Sequence, residues 1–469
     1  MKISMISEHA SPLATVGGVD AGAQNVHVAA LAQALGERGH DVTIFARRDR
    51  ADLPETVAFA EGVRVVNVAA GPADSISKDD MLPFMPALGQ GIAAYWGQHP
   101  DTIPDVVHTH FWMSGLAGRE ALDQAGLSVP LVHTFHALGT VKRRHQGALD
   151  TSPPDRVHLE PQVGLDSTHI IATCNDEVRE LEAMGIDAGK TTVVPSGVDL
   201  RLFRADVTPE ATNGARRIVS VGRLVARKGM DLGISALAHL VRRGYDDVEL
   251  HIIGGGSSGD LSGDNEAMRL TEVAEELGVA DRVFLRGHVP RADMPAIFRS
   301  ASLVACTPWY EPFGIVPLEA MACGVPVVAA KVGGLADTVV DGLTGLLVPP
   351  HAPEAIATAA ALLLDNPGLA SELGRHGITR ARERYAWPQV ARDTEQVYER
   401  LCAEKDIEVG SPVDDFVEFD RIERARRRDR ALKDEETRIR LAARVEEARA
   451  RQVRLRGAGE DIRVRRTQL

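Results

Sequence analysis

The sequence predicts an α/β protein made of two Rossmann-like domains facing a central cleft, and three observations carry that expectation. Short apolar runs recur at residues 2–7, DVTIFAR, VRVVNVA, DVVHTH, VPLVHTFH and THIIATC, with helix-length segments between several of them. Short, largely apolar strands alternating with helices read as a mainly parallel sheet covered on both faces. A second series, RIVSVGR, DVELHIIG, RVFLRG, ASLVACT and VPVVAA, begins after the polar stretch ADVTPEATNGAR. Finally, 469 residues exceed what one hydrophobic core supports. The linker is expected near residues 200–215, giving domains over 1–205 and 206–384.

Each element has its own signal. Residues 2–7 form the first buried strand, followed by the glycine-rich loop HASPLATVGGVDAGAQN. A helix is predicted from Gln24 to Gly39, since Val26, Val28, Leu31 and Leu35 are mostly three or four apart and Gly39 supplies the stop. Helices are predicted likewise at 228–243 and 353–365. From Glu404 to residue 469 the chain is rich in Arg and Glu, with Leu432, Ile439, Leu441 and Val445 as sparse apolar points. Such a tail is expected to be solvated, partly helical or disordered, and laced with i,i+4 ion pairs. Docking on the acidic body or on a neighbouring subunit is the alternative.

Composition narrows the class. Hydrophobic content of 44% and charged content of 25% are those of a soluble globular protein. No apolar run reaches the roughly 18 residues that span a bilayer. The N-terminus MKISMISEH carries Glu8 where a secretory signal would be apolar, so a cytoplasmic location is expected. Cys174, Cys306, Cys323 and Cys402 are scattered without a C-x-x-C pair, which predicts reduced thiols and no metal site. Residues 421–469 hold 17 Lys or Arg against nine Asp or Glu, a surplus of +8, so the rest of the chain carries −21 of the net −13. A body that acidic is a poor binder of nucleic acid.

The chemistry concentrates in EPFGIVPLEAMACGVPVVAA, where Glu311 opens a glycine-containing loop and Glu319 lies in a short helix leading to a strand. Backbone N–H groups over Phe313, Gly314, Ile315 and Val316 suit an anion or a sugar hydroxyl. Two ionised carboxylates, being pure acceptors, can hold a polyol. The plainer possibility is one surface Glu and one capping Glu. Upstream, Arg223 and Lys228 in SVGRLVARKGMD flank a helix start, where two cations can neutralise a diphosphate without a metal; an exposed basic turn is the alternative. His136 closes VPLVHTFH, as a structural residue or as one that donates a hydrogen bond near neutral pH.

The stretch from about Arg216 to Leu401 resembles the C-terminal half of the family-four retaining glycosyltransferases, which have the two-domain fold called GT-B. Their Glu–seven residues–Glu pattern matches Glu311 and Glu319, and their G-R-x-x-x-x-K-G matches Gly222, Arg223, Lys228 and Gly229. With the N-terminal half the resemblance spans about 400 residues. It implies a hexosyl or N-acetylhexosaminyl transfer from a nucleotide sugar, UDP favoured and GDP allowed, with no cofactor required. It also implies that a helix over 385–403 returns to the N-terminal domain, anchored by Tyr385 and Trp387. Arg223 and Lys228 would bind the diphosphate beside Gly22 and the loop 313–316, Glu319 the ribose hydroxyls, and Glu311 the donor sugar. The base would rest near Arg286–Val289. His136 would stabilise an oxocarbenium-like state during front-face attack, with a phosphate oxygen taking the acceptor's proton. SEHASPL, VDAGAQNVHV, SKDDMLP, VVHTHFWMSG and GTVKRRH are similar to the branch of the family that joins N-acetylglucosamine to inositol phosphate in the mycothiol pathway, and to sucrose-phosphate synthases. There Lys78 and Arg156 would grip an acceptor phosphate, near His9 and Asn25; Lys78 as a plain surface lysine is the alternative. Phe111 stands where that branch has Tyr, Ala137 where it has Thr and Ala23 where it has Gly. Two lost hydrogen bonds to a charged group cost about 1.5–3 kcal/mol each, so the acceptor is a small sugar or cyclitol, phosphorylated or not. The expected partners are small molecules, with no nucleic acid, no transmembrane segment and room for a homodimer. An epimerase or hydrolase on the same fold, or a silent nucleotide-sugar-binding scaffold, are the competing functions.

Overall fold

The computed structural model describes residues 1–9, 11–13, 23–147, 150–255, 261–408, 439, 441–448 and 450. It separates into two compact units. The first takes Met1–Val198, Tyr310–Ile315 and the stretch from Glu383; the second takes Asp199–Trp309, Val316–Arg382 and the described residues after 438.

In the first unit the elements run β1 (Lys2–Ile6), α1 (Ala23–Gly36), β2 (Asp41–Arg47), β3 (Thr56–Ala60), β4 (Val63–Val68), α2 (Met85–Gln98), β5 (Val106–His110), α3 (Trp112–Ala125), β6 (Leu131–Thr134), α4 (Gly139–Gln146), α5 (Arg156–Asp166), β7 (His169–Ala172), α6 (Asn175–Ala183) and β8 (Thr191–Val193). They build an eight-stranded sheet in the order β3-β4-β2-β1-β5-β6-β7-β8, parallel apart from the β3–β4 edge pair. β1, β2, β5, β6 and β7 are buried almost end to end, as strands covered on both faces must be. α1 stops at Gly36 and not at Gly39; Gly39 takes the left-handed conformation (φ 88) in the turn that follows. β3 and β8 had no apolar run to announce them, because both are short edge strands that bury little.

In the second unit β9 (Arg216–Val221), α7 (Met230–Arg242), β10 (Val248–Ile253), α8 (Asn265–Glu276), β11 (Val283–Leu285), α9 (Met294–Ser300), β12 (Leu303–Cys306), α10 (Ile315–Ala322), β13 (Val327–Ala330), α11 (Leu335–Thr338), β14 (Gly345–Val348), α12 (Pro353–Asp365) and α13 (Pro367–Arg384) follow. The sheet order β11-β10-β9-β12-β13-β14, parallel throughout, is the doubly wound 3-2-1-4-5-6 arrangement. In such a sheet the strand order reverses once, here between β9 and β12. The first unit reverses between β1 and β5. Helices leave to opposite faces at those points, and the carboxyl ends of the strands stay uncovered there.

The last long helix, α14 (Trp387–Glu408), packs with β1, β2 and α1 through Val390, Val397, Tyr398 and Leu401. Glu395 pairs with Arg38 and with His40 Nε2 at 2.8 Å. Val198 donates to the Tyr385 carbonyl at 2.8 Å and bridges Ala386. The Trp387 ring fills the space beside Gly197, where a Cβ would stand 2.5 Å from it.

Of the tail, residues 441–448 are helical. Leu441 and Val445, each 3% exposed, join the core cluster that holds Leu346, Ile356 and Leu363, while Ile439 is 60% exposed. Arg444 pairs with Glu372, and Ala442 lies 3.6 Å from where a Gly342 Cβ would stand. This piece docks on the second unit through an apolar i,i+4 pair; the remaining tail lies outside the described residues. Leu441→Ala should therefore lower stability by about 2–4 kcal/mol, as for other buried leucines. Denaturant unfolding checks this, and a change within about 0.5 kcal/mol would mean a solvated helix.

Candidate functional site

At the strand reversal of the second unit, three backbone segments come close enough that only glycine fits. Gly254 has φ 153, and a Cβ on it would meet the Gly222 carbonyl oxygen at 1.8 Å. Gly229 (φ 64) would place a Cβ 2.1 Å from the Thr307 carbonyl oxygen. Gly222 donates to Ile253 O at 3.0 Å and Trp309 to Arg227 O at 2.9 Å, while the Thr307 hydroxyl donates to Gly229 O at 2.8 Å. The turn carrying Arg223 and Lys228 is thus tied to the ends of both β10 and β12. Lys228 lays its stem across Gly222, its Cδ 3.4 Å from where a Cβ would be. Arg223 is exposed and Lys228 half-buried.

Glu319 lies inside α10 and is 5% exposed. Its Oε1 is 2.8 Å from Arg291 Nη1, a close contact that is not a well-directed hydrogen bond. Burial pushes this carboxyl up to about 7, with Arg291 opposing. Gly314 (φ 79) turns the chain into α10. The first N–H groups of that helix, at Ile315 and Val316, have no intrahelical partner, and Pro317 has none to offer. Glu311 and Phe313 belong with the first unit, Glu311 half-buried in its loop.

In the first unit five histidines meet around the reversal between β1 and β5. His136 is not part of a strand, as VPLVHTFH suggested: β6 ends at Thr134, and His136 sits beyond it at φ 61, inside a turn closed by Ala137 N donating to Phe135 O at 2.7 Å. His136 Nε2 lies 3.0 Å from His110 Nδ1. The His27 ring is 5.0 Å from the His136 ring, and the Phe313 ring is 5.5 Å from it. Phe111, at the end of β5, also has a positive φ of 79. Non-glycine residues held this way store strain and gather at functional sites.

Burial keeps these imidazoles uncharged: His27 is lowered to about 4, His133 to about 3, and His108, His110 and His136 well below the usual value. The hydrogen bonds then fix tautomers. The single Thr134 hydroxyl proton goes to the Ile171 carbonyl (3.0 Å), so Thr134 accepts from His108 Nε2 (2.9 Å), and His108 Nδ1 accepts from Tyr398 of α14 at 2.6 Å. His136 Nδ1 and His110 Nε2 are buried and have no partner. Buried polar atoms without partners are uncommon enough to need a reason, and a ligand for His136 is one. Sequence reading missed His27 and His110. The repeated H-T-H and H-T-F-H at neighbouring strand ends was the available signal.

His9 Nδ1 bonds Glu8 at 2.7 Å, Glu8 is gripped by Ser114, and the Asn25 amide donates to Ser11 O at 3.1 Å. Gly22 lies outside the described residues. Lys78 opens a short turn (Lys78–Asp80) whose Asp79 accepts from Thr151 at 2.5 Å, which ties it to the segment before α5. Arg156 is buried, and its expected phosphate fork is already occupied. Nε and Nη2 donate to Glu160 at 3.0 and 2.7 Å, Nη2 also to Ala137 O at 2.7 Å, and Nη1 to Ser152 at 3.3 Å. Of the five guanidinium N–H groups one remains. Among the described residues no group of three or more His, Cys, Asp or Glu is arranged to hold a metal, and no helix is long and apolar enough to cross a membrane.

Two family descriptions match the chain: Glycosyltransferase Family 4 over residues 24–202 and Glycosyl transferases group 1 over 206–380. The D-inositol 3-phosphate glycosyltransferase of Kineococcus radiotolerans is 36% identical over 430 residues, 87% of this chain and 98% of that protein. Its counterpart in Acidothermus cellulolyticus is 37% identical over 86% of this chain and 91% of that protein. Among solved structures, the sucrose-phosphate synthase of Thermosynechococcus elongatus has a TM-score of 0.75 at 30% identity, covering 86% of this chain and 99% of that one. Anabaena HepE, with a TM-score of 0.66, 19% identity and coverage of 85% and 100%, shares the fold.

The neutral histidine cluster has a consequence for stability. Below pH 6.5 an unfolded chain binds protons on His27 and His133 that the folded chain refuses until about pH 4 and 3. Stability is therefore retained above pH 6.5 and falls as pH drops, by about 1.4 kcal/mol per pH unit for each such group. Thermal melts between pH 7 and 4 should show this decline, and His27→Gln should make it less steep by the share of one group.

Proposed function

The chain is a family 4, group 1 glycosyltransferase, and on that premise we propose that it moves a hexose or N-acetylhexosamine from a nucleotide sugar to inositol phosphate or a closely related phosphorylated polyol, with retention of configuration. UDP is the favoured nucleotide. The observation that carries the reading is the strand-end cradle of the second unit. A diphosphate there would meet Arg223 and Lys228, two cations held on a glycine-tight turn, and the ribose would meet Glu319, a buried carboxylate with acceptor capacity left over. Charge developing on the leaving diphosphate is countered by that fixed pair, so the reaction needs no metal or organic cofactor.

His136 offers an unpartnered buried nitrogen beside Phe313. We assign it to the donor sugar, where a neutral imidazole donates a hydrogen bond and does not act as a covalent nucleophile. The acceptor hydroxyl attacks the face from which the diphosphate leaves, a phosphate oxygen takes its proton, and Glu311 holds sugar hydroxyls. Lys78 and the remaining Arg156 N–H would engage an acceptor phosphate, with His9 and Asn25 alongside. The names of the relatives favour inositol 3-phosphate. A hexose phosphate is the second reading, favoured by the likeness to sucrose-phosphate synthase and by the departures at Phe111 and Ala137.

Incubating UDP-, GDP- and ADP-sugars with inositol 3-phosphate, a hexose phosphate or no acceptor tests this. A glycosylated polyol is expected; equal consumption of donor without acceptor would make the protein a hydrolase or epimerase. Glu319→Ala should weaken nucleotide binding about 10- to 100-fold in calorimetry, the worth of one or two hydrogen bonds to a charged group. His136→Ala should lower turnover about 100-fold with nucleotide affinity nearly unchanged.

A further inference from the structure

The second unit contains a cation that neither the motif pattern nor the proposed chemistry uses. Arg291 follows Pro290 in the loop between β11 and α9 and reaches the only carboxylate of α10. Its Nη1 stands 2.8 Å from Glu319 Oε1, and its guanidinium carbon lies 5.0 Å from the centroid of the Phe203 ring. Phe203 is itself fully buried, 1% exposed, so the stacked guanidinium has a rigid backing. Few other groups bear on Glu319. Cys323, just past the end of α10, has its thiol pushed up to about 12 by burial and by Glu319, and Arg299 of α9 donates to the Cys323 carbonyl at 3.1 Å, not to Glu319.

We propose that Arg291 is the positioning residue for Glu319: pinned on Phe203, it keeps the buried carboxylate ionised and aimed so that the carboxylate accepts the ribose hydroxyls of the nucleotide. The proposal rests on the assignment of Glu319 to ribose. A carboxylate this deep is neutral without a counter-charge, and a protonated carboxyl has lost acceptor capacity that two vicinal hydroxyls need. The contact is made to one oxygen and is poorly directed, so Arg291 supplies charge while leaving lone pairs for the ligand. A lysine can deliver the same charge; a methionine of similar length can pack on Phe203 but cannot.

The test is calorimetric titration of the full chain with UDP-glucose from pH 5.5 to 9, for wild type, Arg291→Met, Arg291→Lys and Glu319→Gln. Wild-type affinity should fall as pH drops through about 7, where the Glu319 carboxyl takes up a proton. Removing the cation raises that midpoint, so Arg291→Met should bind about tenfold more weakly at pH 7.5 and recover most of the loss by pH 9. Arg291→Lys should keep the wild-type midpoint within about threefold of its affinity. Glu319→Gln should be weak and flat with pH, which assigns the wild-type titration to Glu319 and not to the ligand. An Arg291→Met profile with the wild-type midpoint, whether its affinity is intact or lowered equally at every pH, overturns the proposal. Wild-type binding by Glu319→Gln overturns the ribose assignment instead, and the two failures are told apart by which variant shows them.

Discussion

The placement of His136, Arg223 and Lys228, the groups proposed to meet the donor, depends on the reversal of strand order in each parallel sheet. A parallel strand hands over to a helix at its carboxyl end, and where neighbouring helices leave for opposite faces nothing covers the last residues. In the first unit that point lies between β1 and β5 and is occupied by His9, His110 and Phe111. In the second it lies between β9 and β12 and is occupied by Arg223, Lys228 and the loop after Cys306. Two sheets of different strand number arrive at the same solution. The constraint is topological, and the residue types are then chosen for chemistry.

Electrostatics follow from how deep each group sits. Arg223 is exposed and Lys228 half-buried, a placement suited to a mobile anion. Glu319 and the five histidines are out of water, where the neutral form is favoured unless a partner intervenes. Only Glu319 has been given such a partner. The histidines have been given one another, hydroxyls and a tyrosine, an arrangement that fixes protons by hydrogen-bond direction.

Much of this was legible in the residues. Apolar runs located eleven of the fourteen strands of the two sheets, from Ile3 to Val328, because strands covered on both faces carry buried apolar stretches even where a Ser, Thr or His interrupts them. The edge strands β3 and β8 escaped because they bury little, and β14 at an edge of the other sheet escaped with them. The spacing of Glu311 and Glu319 and the Arg223–Lys228 turn marked the segments now proposed to bind the donor. His110, His27 and Arg291 did not stand out, since each matters through a contact made by a distant segment: the turn after β6 for His110, Phe313 for His27, α10 for Arg291. Arg156 shows the converse, a residue picked by likeness whose fork is turned inward by Glu160 one helical turn away. In the tail, Leu441 and Val445 were visible as an i,i+4 pair, but one such pair in a charged run does not reveal which surface it covers.

The two positive backbone angles at Phe111 and His136 carry a cost that the rest of the first unit must offset. Each is a place where a residue at ease with left-handed geometry would relax the fold. Breeding this protein for heat tolerance alone, with no demand for sugar transfer, would tend to replace Phe111 and His136, the second of which is proposed to serve the donor sugar. Robustness and the proposed role of His136 draw on the same backbone torsion, so a hardier descendant that kept that role would have to gain its margin elsewhere.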